Sequence, residues 1–139
     1  MAPASCIFVL IINGFDMKLS ENITVGEVKA QFRRNFPFLN IEFYSPTTAE
    51  VAEKGMKSIS APEVPLGLIR RKNINGHIRI DPDLNAAALE NTFQEIFGLN
   101  IKIFRRSFGT WVEAGKNETD SLFEQNLRGM KSSERALIV

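Results

Sequence analysis

The spacing of apolar positions changes along the chain, and each spacing predicts a different element. Cys6–Ile12 is apolar throughout, which is typical of a central strand covered on both faces. Phe15–Ser20 alternates apolar and polar residues, as a strand with one buried face requires. Asn13-Gly14 lies between these runs and favours the positive φ angles of a tight hairpin turn. The N-terminal segment is therefore predicted to be a β-hairpin.

A helix follows, because Thr24-Val25-Gly26-Glu27 has the form of a capping box. Its apolar stripe is Val25, Val28, Phe32 and Phe36. Pro37 disfavours a helical conformation at Phe36 and predicts the end of the helix there. Weaker signals predict a strand around Ile41 and Phe43, a short strand in Met56–Ile59, a helical turn in Pro65–Arg70 and a strand at His77–Asp81.

The remainder of the chain repeats this order. Asn85 is the predicted N-cap of a second helix, whose stripe is Leu89, Phe93, Ile96 and Phe97 and whose C′ residue is Gly98. Further predictions are a strand at Asn100–Phe104, a turn at Ser107–Gly109, a return strand at Thr110–Glu113, a short helical turn at Asp120–Leu127 and a closing strand at Arg135–Val139.

The two halves match residue by residue. Val28, Phe32 and Phe36 correspond to Leu89, Phe93 and Phe97 at one constant shift, and Leu39-Asn40-Ile41 then corresponds to Leu99-Asn100-Ile101. Identical Phe-x-x-x-Phe spacing followed by the same Leu-Asn-Ile favours an internal duplication over chance similarity between two amphipathic helices. We therefore predict two tandem repeats, 5–75 and 76–139, packed as one body.

The first repeat resembles a ubiquitin-like β-grasp module from Ile7 to Ile80. The resemblance lies in the hairpin with its Asn13-Gly14 turn, in Ile23–Ala30, which is similar to the helix opening of ubiquitin, in the Leu66–Ile69 turn and in the strand His77–Ile80. The second repeat follows the pattern from its helix onward and lacks a clear first strand. The resemblance implies an α+β fold of two β-grasp repeats, the second truncated; the alternative is a ferredoxin-like βαββαβ order for the second half.

The resemblance also implies limits on function. Conjugated modifiers and sulfur carriers of this fold end in Gly-Gly, whereas the last residues here are Leu137-Ile138-Val139. Ferredoxin members bind their cluster through four cysteines, and this sequence has one. A single histidine likewise argues against a multi-histidine metal centre. We expect no cofactor and no metal.

Charge is balanced in both halves, with seven basic and seven acidic residues in 1–70 and ten and nine in 71–139. This balance argues against a protein held on nucleic acid by bulk charge. The apolar run Cys6–Ile12 is too short to span a bilayer and has no basic residue before it. We therefore expect a cytoplasmic protein with no membrane partner.

Few residues suggest catalysis. Cys6 is a candidate nucleophile only if the single histidine, His77, lies beside it. Asp81 and Asp83 flank Pro82, and we expect them to cap the second helix rather than to bind a cation. No phosphate-binding loop or nucleophilic triad is recognisable, so we predict no enzymatic activity and assign no catalytic residue.

Basic residues cluster at Arg33-Arg34, Arg70-Arg71-Lys72 and Arg105-Arg106. The last pair lies near Phe104, Phe108 and Trp111, and arginine beside exposed aromatic residues is typical of a single-strand nucleic-acid surface. Our candidate basic patch is Arg70, Arg71, Lys72, Arg105 and Arg106. The leading hypothesis is a non-catalytic protein-binding module, with nucleic-acid or anion binding as the alternative. An exposed edge strand also suggests a homodimer.

Overall fold

The computed structural model describes residues 14–44, 58–59, 61–69, 76–115 and 119–138, and of residues 134–138 only the backbone. The strand predicted at Cys6–Ile12 lies outside the described residues. The strands are β1 (Phe15–Leu19), β2 (Leu39–Tyr44), β3 (Ser58–Ile59), β4 (Gly76–Ile80), β5 (Asn100–Ser107) and β6 (Thr110–Glu113). The helices are α1 (Val25–Asn35), α2 (Ala86–Thr92) and α3 (Leu122–Ile138); a 3₁₀ turn spans Leu66–Leu68, and a π-helical turn at Phe93–Phe97 extends α2.

Helix α1 begins and ends where the sequence predicts. The Thr24 hydroxyl accepts from the Glu27 amide at 3.2 Å, and the Glu27 carboxylate accepts from the Thr24 amide at 3.3 Å. The helix ends before Phe36, whose φ of −129° leaves the helical region ahead of Pro37. In α2, Asn85 caps the first turn through the Ala88 amide at 2.8 Å, and Gly98 follows the π turn in the left-handed region. These predictions are confirmed.

The described strands form two small antiparallel sheets. β1 pairs with β4, and Met17 lies opposite Ile78. The other sheet has the order β3-β2-β5-β6, in which Ile41 lies opposite Ile103 and Arg106 opposite Trp111. In its described part the protein is therefore an α+β protein with two antiparallel sheets and three helices.

Corresponding elements of the two halves recur at one shift. β1 at Phe15–Leu19 and β4 at Gly76–Ile80 differ by 61 positions at both ends, as do the caps Thr24 and Asn85. One connector hydrogen bond recurs as well: Leu66 donates its amide to the Ile23 carbonyl at 2.9 Å, and Leu122 donates to the Leu84 carbonyl at 2.8 Å. The two halves thus share a strand, a capped helix and this backbone contact, whereas the elements that carry Leu66 and Leu122 differ.

One apolar core joins the elements of both halves. The predicted helix stripes lie in it, with Phe32, Phe36, Phe93 and Leu89 fully buried and Phe97 4% exposed. Alternate residues of the paired strands complete it: Leu39, Ile41, Phe43, Ile101 and Ile103. Phe32 and Phe36 lie 5.4 Å apart between ring centroids, and Phe93 and Phe97 lie 5.9 Å apart. Ile96, which we placed in the stripe, is exposed instead.

Helix α3 corrects two predictions. The short helical turn expected at Asp120–Leu127 is the start of a 17-residue helix, and the closing strand expected at Arg135–Val139 is helical as far as Ile138. A ferredoxin-like second half would need that closing strand. The Ser121 hydroxyl accepts from the Glu124 amide at 3.1 Å, and the Glu124 carboxylate accepts from the Ser121 amide at 3.4 Å. This second capping box was readable in the sequence as Ser-x-x-Glu.

The buried face of α3 is small and polar rather than apolar. Asn126 Oδ1 accepts from the Phe38 amide at 2.9 Å, and the Ser132 hydroxyl donates to the Arg106 carbonyl at 3.2 Å. Gly129 lies so close to β2 that an added Cβ would be 2.7 Å from Phe38 Cβ. Several buried positions of this helix are glycine, serine and asparagine. A sequence pattern of apolar residues therefore does not predict the helix.

Candidate functional site

The β5–β6 hairpin presents an exposed aromatic side chain at its tip. Phe108 is 61% exposed and has a φ of +48°, and Gly109 follows with a φ of +88°. The Thr110 hydroxyl donates to the Ser107 carbonyl at 2.9 Å across the turn. A left-handed conformation costs a residue other than glycine about 1–2 kcal/mol. The two-residue turn requires this conformation, and phenylalanine adopts it at a cost that asparagine or glycine would avoid.

Trp111 lies beside two arginines brought together from distant parts of the chain. The Arg106 guanidinium carbon lies 5.1 Å from the centroid of the indole ring, and the Arg33 guanidinium carbon lies 5.8 Å from it. Arg106 is opposite Trp111 in the strand register, whereas Arg33 comes from the last turn of α1. Both distances fall within the range of a cation–π contact. We call Arg33, Arg106, Phe108 and Trp111 the hairpin surface.

The positive charge of the hairpin surface is not neutralised within the described part of the chain. No carboxylate of the described residues lies within 4.0 Å of Arg33 or Arg106. The nearest acidic residue in the β6 sequence, Glu113, forms an ion pair with Lys102 at 3.2 Å. The C-terminus of α1 contributes a partial charge of only about −0.5, so two guanidinium groups leave a net positive surface.

The two residues of the predicted basic patch that the structure describes, Arg105 and Arg106, do not lie on one face of the sheet. Arg105 and Arg106 are neighbours in β5, so their side chains point to opposite faces of the sheet. The Arg105 Nε is buried and has no hydrogen-bond partner among the described residues. Arg70, Arg71 and Lys72 lie outside the described residues. Arg33 is the functional candidate that the sequence did not connect to Trp111, because no local signal joins residues so far apart.

Among the other candidate residues, those that the structure describes are exposed side chains on or beside β4. Cys6 lies outside the described residues, and His77 is exposed on β4 opposite Lys18. Asp81 and Asp83 are exposed, and Asp81 accepts from Arg79 at 3.4 Å. The expectation that these aspartates cap α2 is wrong, since the cap is Asn85.

A network of charged side chains lies on the strand positions that alternate with the core. Glu42 Oε1 accepts from Lys29 Nζ at 3.0 Å and from Asn40 Nδ2 at 2.7 Å. Lys102 Nζ, besides its ion pair with Glu113, lies 5.6 Å from the centroid of the Tyr44 ring. These charges are paired with one another, which distinguishes the network from the hairpin surface.

Glu90 links α2 to the junction where β6 ends. Its carboxylate accepts from the Ile103 amide at 3.1 Å and occupies the space that a side chain at Gly115 would fill. Burial raises the pKa of Glu90, and the hydrogen bond from Ile103 opposes that shift. Burial also raises the pKa of Tyr44, against the opposing effect of Lys102. Both groups are explained by their structural contacts.

The described residues were also compared with the requirements of a metal site and of a membrane span. No group of three or more histidine, cysteine, aspartate or glutamate side chains among them is arranged to hold a metal ion. None of their helices is long and apolar enough to cross a membrane. Comparison with protein-family models, with curated proteins and with solved structures found no match to this chain. A functional interpretation therefore rests on the hairpin surface itself.

Proposed function

We propose that this protein is a non-catalytic binding module that acts in the cytoplasm and recognises a partner protein through the hairpin surface. The observation that carries the proposal is Phe108, an exposed aromatic residue held in a costly left-handed conformation. A turn selected for stability alone would favour asparagine or glycine at this position. The presence of phenylalanine there is accounted for if its side chain enters a pocket on a partner.

The composition of the hairpin surface supports a protein partner. Tryptophan and arginine are enriched among the residues that dominate binding energy at protein interfaces, and both lie here on one hairpin. Trp111 is half-buried on β6 and is contacted by Arg33 and Arg106, so part of the entropy of ordering its side chain is already lost before binding. The near-neutral charge of the whole chain argues against a nucleic-acid partner.

A capture experiment with matched variants tests this function. Tagged wild-type protein, Phe108→Asn and Leu68→Ala are each used to recover proteins from a lysate of the native host. Leu68 is a suitable control because it is 75% exposed and lies on the 3₁₀ turn, not on the hairpin. We expect one protein to be recovered in similar amounts by wild type and Leu68→Ala and to be lost with Phe108→Asn. Recovery that is equal for all three would contradict the proposal.

We also propose that the halves are copies of one β-grasp-like unit. The constant shift between β1 and β4, the equivalent helix stripes and the equivalent connector hydrogen bonds support a duplication. The β-grasp assignment depends further on the strand predicted at Cys6–Ile12. Observation of residues 6–12 paired in a sheet, by backbone NMR, is the expected result, and a helix there would contradict it.

Self-association remains a separate prediction. Among the described strands, β3 and β6 lie at the edges of the four-stranded sheet, and β6 carries Trp111. Edge strands are common sites of pairing between chains. Sedimentation of the purified protein distinguishes a dimer from a monomer, and a concentration-independent monomer would contradict the homodimer.

A further inference from the structure

We infer that the segment recognised by the hairpin surface is acidic, with glutamate or aspartate next to an apolar residue. This inference rests on the proposed function and specifies the chemistry of its partner. It follows from the contact of two arginines without carboxylate partners, Arg33 and Arg106, with the Trp111 ring, on a hairpin whose tip exposes Phe108.

The two guanidinium groups are arranged to accept an anion. Both lie within 6 Å of the centroid of one indole ring, so one aromatic side chain carries two positive charges beside it. A contact with the face of a ring leaves guanidinium N–H donors available for oxygen acceptors, and their planar geometry matches a carboxylate. The carboxylates of an acidic segment would form charge-assisted hydrogen bonds with these groups.

Four other cations of the described part have an acidic partner within the chain. Lys29, Lys102, Arg79 and Arg128 each have a carboxylate of the same chain within 4.0 Å. Positive charge at these positions is already neutralised. Lys18, Arg34 and Lys131 have no carboxylate of the described residues within this distance either, so what sets Arg33 and Arg106 apart is the indole ring that both contact.

An acidic peptide fits this surface better than a nucleic acid. Single-strand binding surfaces follow the backbone along a basic groove and stack successive bases on several aromatic rings. Here the two arginines lie beside one indole ring, which offers a stacking platform for one base rather than for successive bases.

Trp111 is the only tryptophan of the chain, so its fluorescence reports directly on the site. The purified full chain is titrated with a peptide in which glutamate alternates with leucine, and the emission of Trp111 is followed. Two control peptides replace every glutamate by glutamine or by lysine. We expect a saturable change with the acidic peptide, no change with the lysine peptide, and at least about tenfold weaker binding of the glutamine peptide.

Matched variants locate the interaction. Arg33→Gln and Arg106→Gln are each expected to weaken the acidic peptide about tenfold, whereas Arg79→Gln on β4 leaves its affinity within about twofold. Added salt should weaken the peptide, because the contacts join exposed charges. Since Arg33 and Arg79 are exposed, these substitutions are compatible with folding, which circular dichroism confirms for each variant.

Three results would overturn the inference: equal affinity for the glutamate and glutamine peptides, unchanged affinity in both arginine variants, or tighter binding of single-stranded polyuridylate than of the acidic peptide. Failure of this inference can be distinguished from failure of the proposed function. If the captured host partner still depends on Phe108 but not on Arg33 or Arg106, the function stands and only the acidic chemistry is wrong. If the partner depends on none of them, the function itself is wrong.

Discussion

The two halves of the molecule share a core and differ on their surfaces. Val28, Phe32 and Phe36 in the first half and Leu89, Phe93 and Phe97 in the second are all buried in one core. The helix residue next to this stripe is basic in the first half and acidic in the second. Lys29 forms an ion pair with Glu42 on β2, whereas Glu90 lies near Lys102 on β5. The same backbone is therefore compatible with opposite charges, while its buried positions keep their size and apolar character.

The connectors differ most. The 3₁₀ turn Leu66–Leu68 occupies the place where α3 begins in the second half, and the two-residue strand β3 occupies the place of β6. The strained hairpin tip and α3 belong to the second half alone. The features that both halves share explain the fold. The features that only the second half has are the candidates for function.

The largest expected effect tests the equivalence of the cores. Phe32→Ala and Phe93→Ala each remove a fully buried ring, and each should lower the free energy of unfolding by about 3–5 kcal/mol. Denaturant unfolding of both variants measures the two losses. A loss confined to one of them would show that the two stripes are not equivalent in the folded protein.

The next effect tests the close packing of α3. Alanine normally stabilises a helix relative to glycine by about 1 kcal/mol. At Gly129 the new methyl group would lie 2.7 Å from Phe38 Cβ and 3.0 Å from the Phe38 carbonyl oxygen. Gly129→Ala should therefore destabilise the protein, by about 1–3 kcal/mol. Lys131→Ala, an exposed change in the same helix, is the control, and a stabilising Gly129→Ala would contradict the packing.

A third prediction concerns how pH changes the contribution of Glu90 to stability; Lys29 is the residue at the corresponding position of the first half. Because burial raises the pKa of Glu90 above its ordinary value near 4.5, its ionised form is less favourable in the folded state. This cost is fully present above the folded pKa and disappears as the pH falls through it towards the unfolded value. Glu90→Gln removes the cost, so the stability of Glu90→Gln relative to wild type should decline on acidification.

Urea unfolding from neutral pH to mildly acidic pH measures that difference. Glutamine keeps an oxygen acceptor for the Ile103 amide, so the hydrogen bond at this junction is retained. Glu95→Gln, an exposed change in the π turn, is the matched control. A relative stability that rises on acidification would mean that the Glu90 carboxylate is stabilised, rather than penalised, by folding.

The smallest effect concerns the hairpin tip. Phe108→Asn places a residue that tolerates the left-handed region at a φ of +48°, and should raise the free energy of unfolding by about 1 kcal/mol. Thermal and urea unfolding measure the gain. A loss of stability would show that the Phe108 ring contributes to the fold, and its proposed role in binding would then lose its physical basis.

Local signals predicted most of the elements. The capping box at Thr24, the cap at Asn85 and the alternation in Phe15–Ser20 each correspond to an element in the structure. Helix α3 was underestimated because its buried face uses Gly129, Ser132 and Asn126, which resemble loop residues in composition.

The candidate site was predictable only in part. The sequence places Arg106, Phe108 and Trp111 near one another and suggests a surface of basic and aromatic residues. It does not show that Arg33 approaches the same ring, because that contact depends on how α1 packs beside the sheet. Nor does it show that Phe108 adopts a left-handed conformation, which is a consequence of the two-residue turn.

The central claim, that the hairpin surface contacts a partner protein, is tested most directly by photo-crosslinking in the native host. Benzoylphenylalanine is introduced at position 108 in one strain and at position 68 in another, both exposed in the free protein. We expect a discrete crosslinked species from position 108 that is absent from position 68. No crosslink at position 108, or the same species from both positions, would contradict it.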